Sequence, residues 1–265
     1  MINGTEIFSL ENKVALVTGG TGYLGKAMVK ILAESGAHVF INGRDLDRIS
    51  SLVSELQQEG LLVSSAAFDI TDGNAINAFF TKEISHLDIL INNAYTGGAG
   101  TIVCNEKKSY IYSYDISLGA THELFTIALP SLRKAVQDRG GASVINIASM
   151  YGIVSPDLRV YDSPQGANPP FYGAAKAALI QWTRYAACEF GRENIRVNAI
   201  SPGPFPSLSV QQSNPDFIQR LTHKVPMGRI GSADEIRGAI LFLASDAASY
   251  VNGTNLVIDG GWTCW

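Results

Sequence analysis

Short apolar runs alternate with longer amphipathic segments along almost the whole chain. The apolar runs are rich in Val and Ile and predict buried strands at 14–17, 39–41, 61–68, 89–91, 144–147, 197–200 and 256–258. Helical periodicity fills the intervals, at 26–34, 46–58, 75–83, 112–137, 172–190 and 233–243. This alternation predicts an α/β fold: a doubly wound, seven-stranded parallel sheet with helices on both faces.

A single domain over residues 1–265 accommodates all of these elements, because seven strands complete one sheet. Residues 1–12 are expected to form a polar N-terminal arm, and four prolines between 156 and 170 predict an irregular loop. Ligands of such folds bind at the carboxyl ends of the strands. The residues that follow each strand are therefore the candidates for a site.

The composition, with 46% hydrophobic and 17% charged residues, is that of a globular protein. A net charge of −4 without any run of Lys or Arg argues against nucleic-acid or membrane partners. The chain shows no secretory leader and no apolar stretch of membrane-spanning length, which favours a cytoplasmic location. Cys104, Cys188 and Cys264 lie far apart without metal-ligand spacing, so we expect structural, reduced cysteines and no metal site.

A glycine-rich turn follows the first strand and precedes the first helix. Gly20, Gly22 and Gly25 satisfy the GxGxxG spacing, in which glycines permit a tight turn and let the backbone approach a pyrophosphate. A glycine-rich turn between strand and helix can also be purely structural. Its place after the first strand of an alternating chain favours dinucleotide binding and a Rossmann-like fold.

The end of the second strand bears on the choice of cofactor. An acidic residue there would bind the ribose hydroxyls of NAD, but the chain has Gly43 followed by Arg44. The guanidinium of Arg44 can pair with a 2′-phosphate, which favours NADP over NAD. The alternative is an ordinary solvated arginine at the end of a strand.

Tyr172 and Lys176 stand four residues apart on a predicted helix and therefore share one face. A phenol with a pKa of about 10 is a poor acid or base at neutral pH, but a neighbouring ammonium favours the phenolate. Ser149 follows the fifth strand, at the edge where a substrate carbonyl would lie. The alternatives are an exposed helix with an aromatic anchor, and a serine that serves as a turn or cap residue.

From about residue 13 to residue 261, the chain resembles the compact, single-domain short-chain dehydrogenases/reductases. The resemblance rests on the turn 18–25, Asp69, Asn92-Asn93-Ala94, Ser149, Tyr172, Lys176, Pro202-Gly203 and the terminal Asp259-Gly260-Gly261. It implies that Tyr172 exchanges the proton, Ser149 holds the substrate oxygen, and Lys176 binds the nicotinamide ribose and lowers the pKa of the tyrosine. The cofactor contacts that it implies are Gly19, Thr21, Gly22, Tyr23, Leu24, Gly25, Arg44, Asp69, Ile70, Asn93, Ala94, Tyr172, Lys176, Pro202, Gly203 and Phe205.

Three features depart from the family pattern. Tyr23 replaces a usual glycine, and the resulting Thr-Gly-x-x-Gly-x-x-Gly spacing resembles the extended branch, which includes epimerases and dehydratases. Ser117 aligns with the family's catalytic asparagine, so it either takes a different part in the proton relay or packs a helix. The interval 153–171 exceeds the family norm by about ten residues, and we expect this inserted loop to overhang the substrate site.

The substrate-binding candidates are Ser149, Tyr151, Arg159 and Tyr172, beneath an expected lid at 204–226. Arg159 could hold a carboxylate or phosphate, or be a solvated or oligomer-contact arginine.

These features predict an NAD(P)(H)-dependent oxidoreductase that interconverts a secondary alcohol and a ketone, with Ser149, Tyr172, Lys176 and Ser117 as its catalytic residues. The polar inserted loop favours a polar or sugar-like substrate. Two alternatives are a non-catalytic nicotinamide-binding sensor or scaffold, and a sugar-nucleotide epimerase or dehydratase with tightly held cofactor. The resemblance further implies a homotetramer or homodimer, formed through the helices 112–137 and 172–190.

Overall fold

The computed structural model describes residues 4–265, and the first three residues of the predicted N-terminal arm lie outside the described residues. Within this range seven strands form one sheet: β1 Val14–Val17, β2 His38–Gly43, β3 Val63–Ala67, β4 Ile89–Asn92, β5 Ala142–Ile147, β6 Ile195–Pro202 and β7 Asn255–Ile258. All neighbouring strands pair in parallel, in the order β3-β2-β1-β4-β5-β6-β7. The predicted fold class is confirmed.

Helices cover both faces of this sheet. They are α1 Tyr23–Glu34, α2 Leu46–Gln58, α3 Gly73–Glu83, α4 Lys107–Tyr114, α5 Ala120–Arg139, α6 Pro170–Phe190, α7 Leu208–Ser213, α8 Pro215–Lys224 and α9 Arg237–Ala244. Successive strand residues point to opposite faces. Val17 therefore belongs to a core beneath α1, α2 and α9, while its neighbour Leu16 belongs to a second core beneath α3, α5 and α6.

The strand order reverses between β1 and β4, which are hydrogen-bonded neighbours although β2 and β3 separate them along the chain. The connections from these two strands leave toward opposite sides and open a crevice at their carboxyl ends. The turn after β1 and the Asn92-Asn93-Ala94 run after β4 therefore meet at this crevice.

The predicted helix at 112–137 is present but begins earlier, at Lys107, and is not α-helical throughout. A π-helical turn at Asp115–Gly119 separates α4 from α5, and it contains Ser117. Such a turn inserts an extra residue into the helical ladder, and π turns are frequent at functional sites. The predicted irregular loop at 156–170 also holds two short 3-10 turns, at Leu158–Val160 and Pro164–Gly166.

A buried polar chain fixes α6 against the sheet. The Asn92 side-chain amide donates to Asn146 Oδ1 over 2.8 Å, and the Asn146 amide donates to Thr183 Oγ1 over 2.9 Å. Thr183 in turn donates to the Leu179 carbonyl over 2.8 Å. Because these buried polar atoms bond one another, the chain links β4, β5 and α6 in one register.

The cysteines do not pack in the core. All three are free and exposed, so the expectation that they are structural is wrong. Over residues 4–265, no helix is both long and apolar enough to cross a membrane. Nor does the described part of the chain bring together three His, Cys, Asp or Glu side chains that could hold a metal ion.

Candidate active site

The glycine-rich turn forms one wall of a cavity of about 580 Å³ at the carboxyl ends of β1, β2 and β4. Gly19 adopts the left-handed conformation, with φ of +61°, and a Cβ added there would lie 3.0 Å from Ala94 Cα. At Gly25 a Cβ would lie only 2.2 Å from the Gly19 carbonyl oxygen. Both positions therefore require glycine, and the amino end of α1 borders the cavity through Gly22, Tyr23 and Leu24.

Thr18 and Asn93 hold the turn against the end of β4. The Thr18 hydroxyl accepts from the backbone N–H of Asn93 over 2.9 Å and from that of Ala94 over 3.0 Å. The Asn93 side-chain amide donates to the carbonyls of Thr18 and Gly19, over 3.0 and 3.1 Å. Asn93 thus supports the cavity wall through the backbone that would face the cofactor.

Basic side chains line the far end of the cavity. Arg44 Nη1 lies 3.7 Å from Asp69 Oδ2, and Arg48 lines the same end from the first turn of α2. The Thr71 backbone N–H, together with the Thr71 hydroxyl and Arg44, holds the pKa of Asp69 below its usual value. Asp45 caps α2 by accepting from the Arg48 backbone N–H over 3.1 Å. The two guanidiniums can therefore both face an anion at this end.

The other predicted cofactor residues are divided. The cavity lining includes Thr21, Gly22, Ile70 and Ala94. Taken over residues 4–265, it does not include five other predicted cofactor residues: Tyr172, Lys176, Pro202, Gly203 and Phe205. The Gly203 backbone N–H donates to the Ile258 carbonyl over 2.9 Å. Phe205 packs on Gly231 and lines a second, smaller cavity with Arg229 and Glu235.

Ser149, Tyr172 and Lys176 come together where β5 ends and α6 begins. Lys176 is 4% exposed, and its ammonium donates to the Ile147 carbonyl over 2.7 Å. Its Nζ lies 5.8 Å from the centre of the Tyr172 ring. The Ser149 hydroxyl accepts from the Tyr151 backbone N–H over 3.1 Å. The fold thus places the three predicted catalytic groups at one sheet edge.

Burial controls the ionisation of this group. It raises the pKa of Tyr172, which the hydrogen bond with Ser149 partly opposes. Burial also lowers the pKa of Lys176, to about 8. With this pKa Lys176 is mostly charged at neutral pH and loses its charge just above it, so any neighbour that stabilises the ammonium affects the acidity of Tyr172.

Ser117 is buried within the π turn, at 2% exposure. Its hydroxyl oxygen has no hydrogen-bond partner among the described residues. A buried hydroxyl without a partner is unusual and is a feature of helix strain or of a site that binds water or ligand. Both interpretations of Ser117, as relay residue and as packing residue, stay predictions.

Tyr151 and Tyr161 form a hydroxyl pair on the substrate side, with their oxygens 2.9 Å apart. Burial raises the pKa of both phenols, so both remain protonated donors. Arg159, which was predicted with Tyr151 to bind substrate, is 89% exposed and pairs with Asp157 over 2.8 Å. The structure therefore does not bring Arg159 to Tyr172.

The inserted loop 153–171 is fastened to α8, within the predicted lid. Asp157 accepts from Lys224 over 2.8 Å, and Arg220 donates to the Val160 carbonyl over 2.8 Å. Asp162 pairs with Arg220 as well, and the rings of Tyr161 and Phe217 lie 5.6 Å apart. Apolar side chains of both segments cluster over Tyr172, among them Val160, Phe217 and Leu221. The loop and the helix thus cover Tyr172 together.

Arg48 and Tyr95 are among the cavity residues that the sequence motifs did not identify. Arg48 stands four residues after Arg44, a spacing that places it one helical turn from the predicted phosphate end. Tyr95 directly follows Asn92-Asn93-Ala94 and lines the cavity near Tyr172, with ring centres 4.9 Å apart. Its place immediately after a strand was the available signal.

Comparison with known proteins agrees with this geometry. A family model described as enoyl-(acyl carrier protein) reductase matches residues 22–263. The chain is 32% identical to gluconate 5-dehydrogenase of Gluconobacter oxydans (strain 621H), over 97% of each chain. It is 33% identical to the 3-oxoacyl-[acyl-carrier-protein] reductase FabG of Chlamydia trachomatis, over 95% of this chain and 98% of the relative.

Among solved structures, a gluconate 5-dehydrogenase from Burkholderia cenocepacia J2315 in complex with NADP and tartrate matches with a TM-score of 0.87. It shares 27% sequence identity, and the match covers 99% of this chain and 100% of that one. The motifs, the sheet order and these similarities agree. The chain belongs to the short-chain dehydrogenase/reductase family of NAD(P)-dependent oxidoreductases.

Proposed function

We propose that this protein is an NADP(H)-dependent oxidoreductase that interconverts a secondary alcohol and a ketone on a polar, sugar-like substrate. One observation carries the proposal: the cavity has arginines at one end, and at the other its lining residue Tyr95 lies against the partly buried Tyr172 and the buried Lys176. A dinucleotide phosphate requires an anion site and a reaction site separated in this way.

The described residues fit NADP. Gly19 and Gly25 leave no room for a Cβ, so the backbone can approach a pyrophosphate at the amino end of α1. Arg44 and Arg48 would hold the 2′-phosphate. When bound, the nicotinamide supplies hydride transfer, the part of the reaction that side chains cannot perform.

The chain's own residues would manage the proton. In ketone reduction, the Tyr172 hydroxyl donates its proton to the substrate oxygen, and the Ser149 hydroxyl holds the same oxygen. The tyrosine then carries a negative charge, which the Lys176 ammonium stabilises. In alcohol oxidation the Tyr172 phenolate removes the proton instead.

Support for a polar substrate comes from two sources. Tyr151 and Tyr161 offer protonated hydroxyls beneath the lid, suited to hydrogen-bonding a polyol chain. Relatives include a gluconate 5-dehydrogenase, and a structural neighbour with that name was crystallised with NADP and tartrate. Both names indicate hydroxylated acids as ligands of those proteins, and we extend this class to the present chain.

Titration with NADPH and with NADH, followed by nicotinamide fluorescence, tests the cofactor assignment. We expect NADPH to bind more tightly, and Arg44→Ala and Arg48→Ala each to weaken NADPH binding by about tenfold while leaving NADH binding unchanged. Arg192→Ala is the matched control, because Arg192 is exposed just before β6, at the opposite edge of the sheet.

A ketone and polyol panel, including 5-ketogluconate and gluconate, then tests turnover. Binding of NADPH without turnover of any member would favour a sensor or scaffold. Turnover without net change in nicotinamide absorbance would favour an epimerase or dehydratase. Equal binding of NADH, indifferent to both arginines, would overturn the preference for NADP.

We further propose a cytoplasmic enzyme that assembles as a homotetramer or homodimer through α4, α5 and α6. Ile111, Tyr112 and Tyr114 on α4 and Tyr185 on α6 are large side chains that lie exposed on these helices. Contiguous exposed apolar surface is a feature of subunit contacts. Sedimentation equilibrium checks the assembly, and a monomer at micromolar concentration would contradict it.

A further inference from the structure

Tyr95 is a residue to which neither the motifs nor the proposed reaction gives a role. We propose that its ring is a positioning element for the catalytic pair, holding the Lys176 ammonium in its charged state against Tyr172. The inference deepens the proposed function, on which its catalytic consequence rests.

The ring of Tyr95 lies against both members of the pair. Lys176 Nζ is 5.1 Å from the centre of the Tyr95 ring, which is nearer than the 5.8 Å to the Tyr172 ring. The two tyrosine rings meet edge to face, with centres 4.9 Å apart and an interplanar angle of 63°. A cation within about 6 Å of an aromatic ring centre is attracted by the negative ring face.

The phenol of Tyr95 is anchored at its far end. Its hydroxyl lies 3.0 Å from the hydroxyl of Ser113 on α4, and Ser113 is 3.3 Å from the carbonyl of Phe171. Phe171 immediately precedes Tyr172 in the first turn of α6. The two contacts therefore fix the ring relative to the backbone that carries the catalytic tyrosine.

Few described groups stabilise the charge of the Lys176 ammonium. Its ammonium has three donors, and the described hydrogen bond is to the Ile147 carbonyl. Ser117, at the position of the family's relay asparagine, offers a hydroxyl that bonds to no described residue. Tyr95 and Tyr172 are the titratable groups in contact with the ammonium. The other titratable groups on α6 and on the elements packed against it are Tyr151, Lys107, Lys108, Tyr110, Tyr112, Tyr114, Asp115, Arg184, Tyr185, Cys188, Glu189, Arg192, Glu193 and Arg196.

None of these groups forms an ion pair with Lys176 within the described range, so the faces of the two tyrosine rings add to the negative potential that the Ile147 carbonyl supplies at the ammonium. Burial lowers the pKa of Lys176 to about 8, and the Tyr95 ring opposes that loss of charge. Without the ring, the lysine would be neutral over more of the physiological pH range, and it would stabilise the Tyr172 phenolate less.

The pKa of Lys176 can be measured without substrate or cofactor, by NMR of the enzyme labelled with [13Cε]lysine. Lys176 is one of nine lysines, and the Lys176→Met spectrum assigns its signal. We expect Tyr95→Leu to lower the Lys176 pKa by about one unit, from the size of a desolvated cation–π interaction. Tyr95→Phe, which keeps the ring, should restore the wild-type value.

Tyr110→Leu is the matched control, because Tyr110 packs on Phe171 with ring centres 5.8 Å apart but has no described contact with Lys176. It should leave the Lys176 pKa unchanged. If Tyr95→Leu does not fold, Tyr95→Met removes the ring at similar volume and gives the same test. An unchanged or raised Lys176 pKa in a folded ringless variant overturns the proposal. Because no turnover is measured, this outcome is independent of the substrate assignment.

Discussion

The cofactor side and the substrate side of this molecule are built by different means. Backbone forms the cofactor side, where Gly19 and Gly25 admit no side chain and Thr18 and Asn93 bond the turn to β4. Side chains form the substrate side, where the inserted loop and α8 meet through ion pairs and ring contacts. The cofactor, which is common to the family, is thus contacted by rigid backbone, whereas the substrate, which varies, is contacted by side chains.

The substrate side is also the more weakly held of the two. Asp162 and Arg220 are partly exposed, and exposed ion pairs contribute about 0–1 kcal/mol each. The loop can therefore shift relative to α8 with little loss of ion-pair energy, while the glycine turn stays in place. Lid motions of this kind commonly set the turnover of enzymes.

Removing the Tyr172 hydroxyl should give the largest difference between an effect on turnover and an effect on cofactor binding. Tyr172→Phe removes the proton donor but keeps the ring that meets Tyr95, so kcat should fall by about 10³-fold while NADPH binding stays within twofold. Stopped-flow turnover and fluorescence titration measure the two quantities. A parallel loss of NADPH binding would show that the two sides are not independent.

A side chain added in the glycine turn should instead weaken cofactor binding. In Gly25→Ala the new Cβ would lie 2.2 Å from the Gly19 carbonyl oxygen, so the turn must shift. We expect NADPH binding to weaken by about 100-fold and the free energy of unfolding to fall by about 2 kcal/mol. Gly238→Ala on α9 is the control, because nothing lies within 4 Å of its added Cβ. Equal effects of the two substitutions would contradict the steric argument.

Loosening the lid should have the smallest effect. Hydrogen bonds from Arg159 and Lys224 hold the pKa of Asp157 well below its usual value, and the side chain is 14% exposed. A depressed carboxyl pKa stabilises the fold above the unfolded pKa of about 3.9, and the contribution disappears as pH falls through the folded pKa. Asp157→Asn should therefore cost about 1 kcal/mol at pH 7 and progressively less below pH 4.

Thermal unfolding between pH 3 and pH 7 measures this effect, and NADPH binding should not change. Asp138→Asn is the control, since it removes the exposed Lys134–Asp138 pair on α5, far from the lid. If Asp157→Asn and the wild type differed by the same amount at every pH, the loss would not come from the charge.

The features that follow from local periodicity could be predicted from the sequence. The strands β1 and β5 end at one edge, at Val17 and Ile147, because a parallel sheet aligns its carboxyl ends, and Ser149 therefore lies at the same edge as the glycine turn. The roles of Ser149, Tyr172 and Lys176 remain predictions, which the geometry supports. Arg44 and Asp69, which follow β2 and β3, also lie at this edge, and their side chains approach to 3.7 Å.

What depends on side-chain direction could not be predicted. Tyr95 follows a strand like any turn residue, and only the tertiary packing turns its ring onto Lys176. The contact of Asp157 with Lys224 joins residues 67 positions apart, without any local pattern to announce it. The sequence predicts that Arg159 could hold an anionic group of the substrate. In the structure its guanidinium instead donates to the carboxylate of Asp157, two residues away.

The polar chain from Asn92 through Asn146 to Thr183 has a consequence for how such a protein can diverge. Replacing one member removes a hydrogen bond from each buried partner, at a cost of about 1–3 kcal/mol, whereas replacing several together need not carry that cost. Single substitutions are therefore disfavoured at these three positions. The lid, whose pairs separate at little cost, is free to vary one residue at a time. Proteins that diverge from this one should therefore change the residues of the lid before they change the register of α6 on the sheet.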